Sequence, residues 1–251
     1  SGIIDPWFNL FIFLSLATWI QYHNEGGRHR ALVAGAFLGL AVLTKGPVAW
    51  LIGLLVLAGK MIWDRGKPAW KPEGLGLFVL STLSVASSWF VLETLLHGPE
   101  FMQEFFRYQI KLLSTEDAGH GGFPGFHFAV VLLGCFPASI LAFAGMRQAP
   151  SLSGNKGKDL HRWMHLLLWT VLILFSIVES KIIHYSSLAY FPVTWFAASY
   201  LHRLSAERAL PSRWVKIGLY VVAGVFSLAL LIAPWIMRFE LFRQWPLQDP
   251  F

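Results

Sequence analysis

Gly39-Leu40-Ala41-Val42-Leu43-Thr44-Lys45-Gly46-Pro47-Val48 is the stretch that decides the fold, because it carries a lysine to the point where one apolar segment ends and another begins. The Gly-Pro pair interrupts a helix that resumes at Val48. An ionisable group bordering a bilayer is costly, and such groups mark substrate or ion paths. Lys45 is therefore a candidate functional residue. The alternative is a lysine at a helix end whose ammonium reaches out to the membrane interface.

The composition is typical of an integral membrane protein. Hydrophobic residues make up 55% of the 251 residues and charged residues only 14%, and the mean hydropathy is +0.55. The net charge of +6 comes from basic residues in short loops between apolar runs, which membrane topology explains better than nucleic-acid binding. No nucleic-acid partner is predicted, and the single Cys135 excludes an internal disulfide.

Eight apolar segments are predicted to be helices, since backbone in a bilayer must satisfy its own hydrogen bonds and no alternation of a membrane barrel is present. The predicted fold class is all-α: a polytopic transmembrane helical bundle that forms a single membrane domain over residues 1–251. The segments are 3–22, 31–43, 48–63, 74–96, 125–146, 163–178, 186–201 and 214–237.

Basic residues are concentrated in alternate loops, which the positive-inside rule places in the cytoplasm. The N-terminus, the Lys45 turn and residues 97–124 and 179–185 are then on the outer side. The loop 97–124 is predicted to be partly helical, with an amphipathic helix over 99–113. The basic residues of the cytoplasmic loops are Arg28, Arg30, Lys60, Arg65, Lys67, Lys71, Arg147, Lys156, Lys158, Arg162, Arg203, Arg208, Arg213 and Lys216.

Two local features complete this description. Glu93 and His97 are four residues apart near the outer end of a helix, so a pair between them is expected. Residues 151–158, Ser-Leu-Ser-Gly-Asn-Lys-Gly-Lys, have the composition of a flexible cytoplasmic linker.

A series of motifs resembles, in order and over nearly the whole chain, the polytopic glycosyltransferases of family 39. This GT-C-type family includes aminoarabinose transferases and protein O-mannosyltransferases. The motifs are Asp5-Pro6, Gly35 to Pro47, Gly98-Pro99-Glu100-Phe101, Glu104-Phe105-Phe106, Gly119-His120-Gly121-Gly122, Gly134-Cys135-Phe136-Pro137 and Lys181…His184-Tyr185…Pro192.

The resemblance implies transfer of a sugar from a polyprenyl-phosphate carrier to an acceptor hydroxyl or phosphate on the outer face of a bacterial inner membrane. The expected partners are the lipid-linked donor, a lipid, glycan or protein acceptor, and membrane lipids. No cofactor or metal is expected in this chain. The family's first outer loop, with its acidic motif, has no counterpart here, so this chain is expected to be the portion downstream and its general base to lie upstream of Ser1.

The resemblance also suggests roles for individual residues. Lys45 is expected to bind the carrier phosphate. Asp5 is a candidate catalytic or orienting carboxylate, although an aspartate before Pro6 also suits a helix N-cap. The remaining candidates for substrate binding lie in the two outer loops, where tyrosine and lysine also occur as interfacial anchors. They are Gln109, which stands where many relatives have a histidine, His120, Lys181, His184 and Tyr185.

A transporter or flippase is the rival class, in which lysine, glutamate and histidine at membrane depth would form a relay. The polar residues instead collect on one side, and no inverted repeat is visible. A membrane scaffold without catalytic activity would leave the position of Lys45 unexplained.

Overall fold

The described part of this computed structural model consists of helices joined by short connections, without any strand. It covers residues 4–66, 70–100, 102–104, 107, 123–147, 154–178 and 181–238. The helices are α1 (Asp5–Glu25), α2 (Arg28–Lys45), α3 (Val48–Trp63), α4 (Pro72–His97), α5 (Phe126–Gly134), α6 (Ala138–Met146), α7 (Gly154–Ile177), the 3-10 helix η1 (Ile183–Ala189), α8 (Tyr190–Glu207) and α9 (Arg213–Arg238).

Each predicted apolar segment corresponds to helix, which confirms the all-α fold class, but one segment is not continuous. Residues 125–146 form α5 and α6, which meet at an angle of 110°. Pro137 is the last residue of the break, and proline inside a helix removes a backbone donor and clashes with the preceding turn. The prediction of one helix over this segment is therefore wrong.

The start of α7 also differs from the prediction. Helix begins at Gly154, so most of the predicted flexible linker is helical. Lys156 contacts Glu25 at 3.3 Å and Asp159 contacts Lys60 at 2.9 Å. Tertiary contacts of this kind stabilise a helical turn whose own sequence is a poor helix former.

Three of the described helices are long and apolar enough to cross a membrane: α4, α7 and the part of α9 up to Trp235. Counting the bent pair α5–α6 as one span would make four. The eight crossings inferred from the sequence stay a prediction.

Two glycines on α2 set its distance from α4. A Cβ at Gly35 would lie 2.3 Å from the backbone oxygen of Phe78, and one at Gly39 would lie 2.9 Å from that of Thr82. Only glycine permits this approach, which brings the backbones together as in small-residue contacts between membrane helices. Because α1 also packs along α2 and runs antiparallel to it, the last residue of α2, Lys45, returns to the first residue of α1.

A second lysine is buried at the far end of α3. The Lys60 side chain is 1% exposed and contacts Asp64 and, at 2.9 Å, Asp159. Arg162 contacts Asp64 at 3.3 Å, and the Trp163 indole donates to Asp159 over 3.0 Å. These contacts join α3 to α7.

The chain divides into two units, Ser1–Arg203 and Leu204–Phe251. The first contains α1 to η1 and most of α8. The second contains α9, which has no charged residue between Lys216 and Arg238. The prediction of a single membrane domain stays a prediction.

Candidate active site

Asp5 and Lys45 form an ion pair between the start of α1 and the end of α2. The Asp5 side chain is 7% exposed, and its Oδ1 accepts a hydrogen bond from the Lys45 ammonium. Ile4, not Asp5, occupies the N-cap position, and no side chain caps the helix. The N-cap alternative for Asp5 is therefore wrong, because its carboxylate turns inward to a residue 40 positions away.

The ammonium of Lys45 also points inward. Its side chain is 19% exposed, and Nζ lies 4.0 Å from the centroid of the Tyr185 ring and 5.6 Å from that of Phe8. A cation over an aromatic face is attracted by the ring quadrupole. The contacts therefore do not match a lysine that extends to the membrane interface.

His184 completes the group through the other oxygen of Asp5. His184 Nε2 lies 3.4 Å from Asp5 Oδ2, and the His184 side chain is 45% exposed. Its ring stands edge-on to Tyr185 at 5.6 Å. Four predicted site residues, Asp5, Lys45, His184 and Tyr185, thus come together from three distant parts of the chain.

Asn9 is a site residue that the sequence analysis missed. It lies one turn after Asp5, is buried, and donates from Nδ2 to Ser187 Oγ over 2.7 Å. Ser187 Oγ in turn donates to the backbone oxygen of His184 over 2.5 Å. The available signal was spacing, because two polar residues four apart on an apolar helix lie on the same face.

Lys181 has a different environment from the other predicted residues. Its ammonium is buried and donates to the backbone oxygens of Phe175 at 3.3 Å, Ser176 at 2.8 Å and Val178. These carbonyls belong to the last turn of α7 and its exit, where a helix lacks internal donors and a cation is favoured. Three acceptors match the three donors of an ammonium. The contacts give Lys181 a structural role, and its binding of substrate stays a prediction.

The outer loop contributes little to the described site. Gln109 and His120, with most of the predicted surface helix 99–113, lie outside the described residues. The expected pair of Glu93 and His97 is confirmed, with Oε1 and Nδ1 at 3.0 Å. Within the ranges that the structure describes, no three His, Cys, Asp or Glu side chains could hold a metal ion together.

An apolar groove of about 450 Å³ is lined by Pro47, two residues after Lys45, and along most of its length by the C-terminal half of α4. Its two hydroxyl residues donate to backbone oxygens of α4 itself: Ser87 to Ser84 and Thr94 to Phe90. The groove therefore offers an essentially apolar surface, and its lining includes the residues three positions before and two positions after Lys45 in the chain. Its lining includes Val42, Trp50, Ala86, Phe90, Leu95 and Met102.

Comparisons with known proteins support the resemblance on which the site was predicted. No family model matches the chain. It is 29% identical over 238 residues to the undecaprenyl phosphate-alpha-4-amino-4-deoxy-L-arabinose arabinosyl transferase 2 of Pseudomonas fluorescens, which covers 91% of this chain and 39% of the relative. Against the corresponding transferase of Pseudomonas aeruginosa it is 34% identical over 154 residues, 58% of this chain and 27% of the relative.

The fold is similar to crystal structures of ArnT from Cupriavidus metallidurans. The structure bound to undecaprenyl phosphate superposes with a TM-score of 0.73 at 21% identity, covering 92% of this chain and 41% of that one. The apo structure gives a TM-score of 0.67 at 24% identity, covering 90% of this chain and 40% of that one. This chain spans about two fifths of the length of such relatives. The resemblance to the aminoarabinose-transferase-like glycosyltransferases of family 39 is thus confirmed, and the chain has the helical fold of a polytopic membrane protein.

Proposed function

We propose that this chain forms the donor-binding part of a membrane glycosyltransferase, which moves a sugar from a polyprenyl phosphate to an acceptor hydroxyl or phosphate on the outer face of the membrane. The observation that carries the proposal is the Lys45 ammonium, which Asp5 holds inside the protein, together with an apolar groove lined by Val42 and Pro47, three residues before and two residues after Lys45 in the chain. The site combines a cation with an adjacent hydrophobic surface, and these are the two features that a lipid phosphate requires. The names of the relatives, transferases of an undecaprenyl-phosphate sugar, point to the same donor class.

The chemistry explains why a lysine is held at this depth. When the acceptor attacks the anomeric carbon, the bond to the carrier phosphate breaks and negative charge develops on the leaving phosphate. A fixed cation aimed at developing charge in a poorly solvated site contributes about 3 kcal/mol to transition-state stabilisation. Lys45 supplies this charge, and the Tyr185 ring restricts where its ammonium can lie.

Asp5 serves this reaction as an orienting residue. Its Oδ1 already accepts a hydrogen bond from Lys45, so this oxygen is occupied by a partner inside the protein. The general base is therefore assigned to another part of the intact protein. Asp5 holds the Lys45 ammonium inside the protein until a phosphate competes for it.

The apolar groove would hold the first isoprene units of the carrier. Burying apolar surface contributes about 25 cal/mol per Å² removed from water, so a groove beside the cation adds affinity and fixes the direction of the lipid. A single ammonium binds many anions, whereas the combination of charge and groove selects an anion with a long apolar tail.

Replacement of Lys45 tests the proposal in the intact protein. Binding is measured with undecaprenyl phosphate as ligand in nanodiscs, and transfer is measured with a lipid-linked sugar as donor. In the transfer assay, Lys45→Met should lower the rate about 100-fold or more. Lys45→Arg should retain part of the activity, because it keeps the charge. Lys71→Met is the matched control, since Lys71 is an exposed lysine at the start of α4.

The control should behave like the wild type in both assays. Folding is monitored by size-exclusion profile and thermal unfolding, so that lost activity is separated from lost protein. Full transfer by Lys45→Met, or an equal loss in Lys71→Met, would contradict the proposal.

The transporter alternative receives no support from the comparisons, because the relatives carry the names of transferases. A transporter would also need charged groups along a path from one side to the other. In the described residues, Lys45 and Lys60 instead have separate carboxylate partners, one near each end of α3.

A further inference from the structure

The two oxygens of Asp5 contact different partners, an ammonium and an imidazole. Oδ1 contacts the ammonium of Lys45, while Oδ2 lies 3.4 Å from His184 Nε2. Asp5 is 7% exposed, whereas His184 is 45% exposed and can exchange a proton with water. The carboxylate is thus shared between the ammonium of Lys45 and a half-exposed imidazole.

A phosphate that binds at Lys45 alters the charge balance of this group. With His184 neutral, the charges of Lys45 and Asp5 cancel. A phosphate then adds a second anion that competes with Asp5 for the same ammonium. Asp5 is buried, and a buried charge deprived of its partner is strongly unfavourable. The group needs a second cation when the phosphate is bound.

We propose that His184 is a positioning residue that takes up one proton when the donor phosphate binds, and then holds Asp5 while Lys45 turns to the phosphate. The proposal rests on the function proposed above. The proton comes from solvent and no covalent bond changes. His184 acts on the reacting phosphate through Asp5 and Lys45.

The local contacts already support this exchange. Asn9 and Ser187 hold the backbone of His184 against α1, so that the imidazole lies beside Asp5 before any ligand arrives. The imidazole would therefore gain a proton without changing its position, since that position is set by the 3-10 helix. Tyr185, the next residue, carries the ring over which Lys45 lies.

The other ionisable groups near His184 do not compete for Asp5 among the residues that the structure describes. On α5, His127 packs its ring against Phe126 and Phe175. The ammonium of Lys181, just before η1, donates hydrogen bonds to three backbone carbonyl oxygens. The ionisable residues of α7 all lie within its first twelve positions, 154–165, at the other end of the helix.

The test measures how tightly undecaprenyl phosphate binds to the intact protein in nanodiscs between about pH 6 and pH 8.5, the range in which histidine titrates. Wild type is compared with His184→Gln and with the matched control His97→Gln, which removes another histidine that pairs with a carboxylate at the outer end of α4. The lipid phosphate also titrates in this range, so the readout is the ratio of affinities between proteins at each pH, in which the ligand's own ionisation cancels.

Wild type and His184→Gln should bind equally at the alkaline end, and wild type should bind about tenfold more tightly at the acidic end, since one coupled proton changes affinity by at most about tenfold per pH unit. His97→Gln should follow the wild type throughout. A ratio of wild type to His184→Gln that is constant with pH would overturn the proposal.

Failure of this proposal and failure of the proposed function give different results. If Lys45→Met still weakens binding but the pH ratio is flat, the phosphate site stands and the role of His184 falls. If Lys45→Met binds like wild type, the proposed function falls with it.

A measurement on unmodified protein keeps the test open if His184→Gln does not fold. A lipid-linked phosphodiester has no ionisation in this range, so titration calorimetry in two buffers of different ionisation enthalpy counts the protons taken up by the protein. Uptake approaching one proton near pH 7.5 supports the proposal, and zero uptake overturns it.

Discussion

Lys60 and Lys45, both in the first unit, are neutralised in different ways. Lys60 is 1% exposed and lies between two carboxylates, Asp64 and Asp159, one of which also contacts Arg162. Lys45 is 19% exposed and has one carboxylate, Asp5, which it shares with His184. The charge of Lys60 is thus fully matched inside the described protein, whereas the match at Lys45 holds only until another anion competes.

We propose that this difference separates a structural role for Lys60 from a functional role for Lys45 more clearly than burial does. The lining of an apolar groove includes Val42 and Pro47, on either side of Lys45 in the sequence, while Lys60 packs near the ring of Trp163, 5.2 Å from its centroid, and joins two helices. Removing one partner of a fully buried ion pair leaves an uncompensated charge, so such a pair mainly affects folding. A lysine whose partner is shared can change partners, which is what binding requires.

The largest effect is expected when Lys60 is replaced. Lys60→Met should lower the free energy of unfolding by about 3–5 kcal/mol, because Asp64 and Asp159 lose their common cation. Thermal unfolding of the purified intact protein checks this. The affinity of the remaining folded fraction for undecaprenyl phosphate should equal that of wild type. A stable Lys60→Met protein with weakened phosphate binding would reverse the roles assigned to the two lysines.

A smaller effect is expected when the shared carboxylate is neutralised. Asp5→Asn removes the anion that competes for Lys45, so undecaprenyl phosphate should bind about tenfold more tightly, a change within the range of one charge-assisted contact. Its pH dependence should also match that of His184→Gln. Asp64→Asn is the paired control and should leave phosphate affinity unchanged. Weaker binding by Asp5→Asn would mean that Asp5 is needed to place Lys45, and that competition between the two anions is unimportant.

The sequence predicted which residues share one side of the membrane but not which of them touch. The charge of alternate loops placed Asp5, Lys45, His184 and Tyr185 together, and the described contacts agree. The charge of a loop indicates on which side of the membrane a residue lies, but not which residues it contacts. The pairing of Asp5 with Lys45, and the different partners of the two Asp5 oxygens, could therefore not be predicted.

Other differences have separate physical causes. The role of Lys181 depends on how the chain folds back over the end of α7, a tertiary feature without a local signal. Loop charge grouped Lys60 with the cytoplasmic residues, but α7 begins at Gly154 and covers it. The break at Pro137 did have a signal, since proline in an apolar run interrupts a helix. The run is long enough for one membrane-spanning helix, and this length led to the wrong prediction.

The smallest expected effect compares two neighbouring serines of η1. Ser187→Ala should destabilise the protein by about 1 kcal/mol more than Ser186→Ala, because it breaks the link from Asn9 to His184 and leaves a buried amide without its acceptor. Ser186 donates only to Ile183 of the same helix. A difference of this size corresponds to about 2–4 °C in the unfolding midpoint of a protein of this length. The Ser187→Ala protein should also show a shallower pH dependence of phosphate binding, since its imidazole is held less firmly beside Asp5.

Equal unfolding midpoints and equal pH profiles for the two variants would show that η1 is positioned by its apolar contacts, such as the rings of Phe175 and Tyr185 at 5.3 Å. The polar link from α1 would then be dispensable.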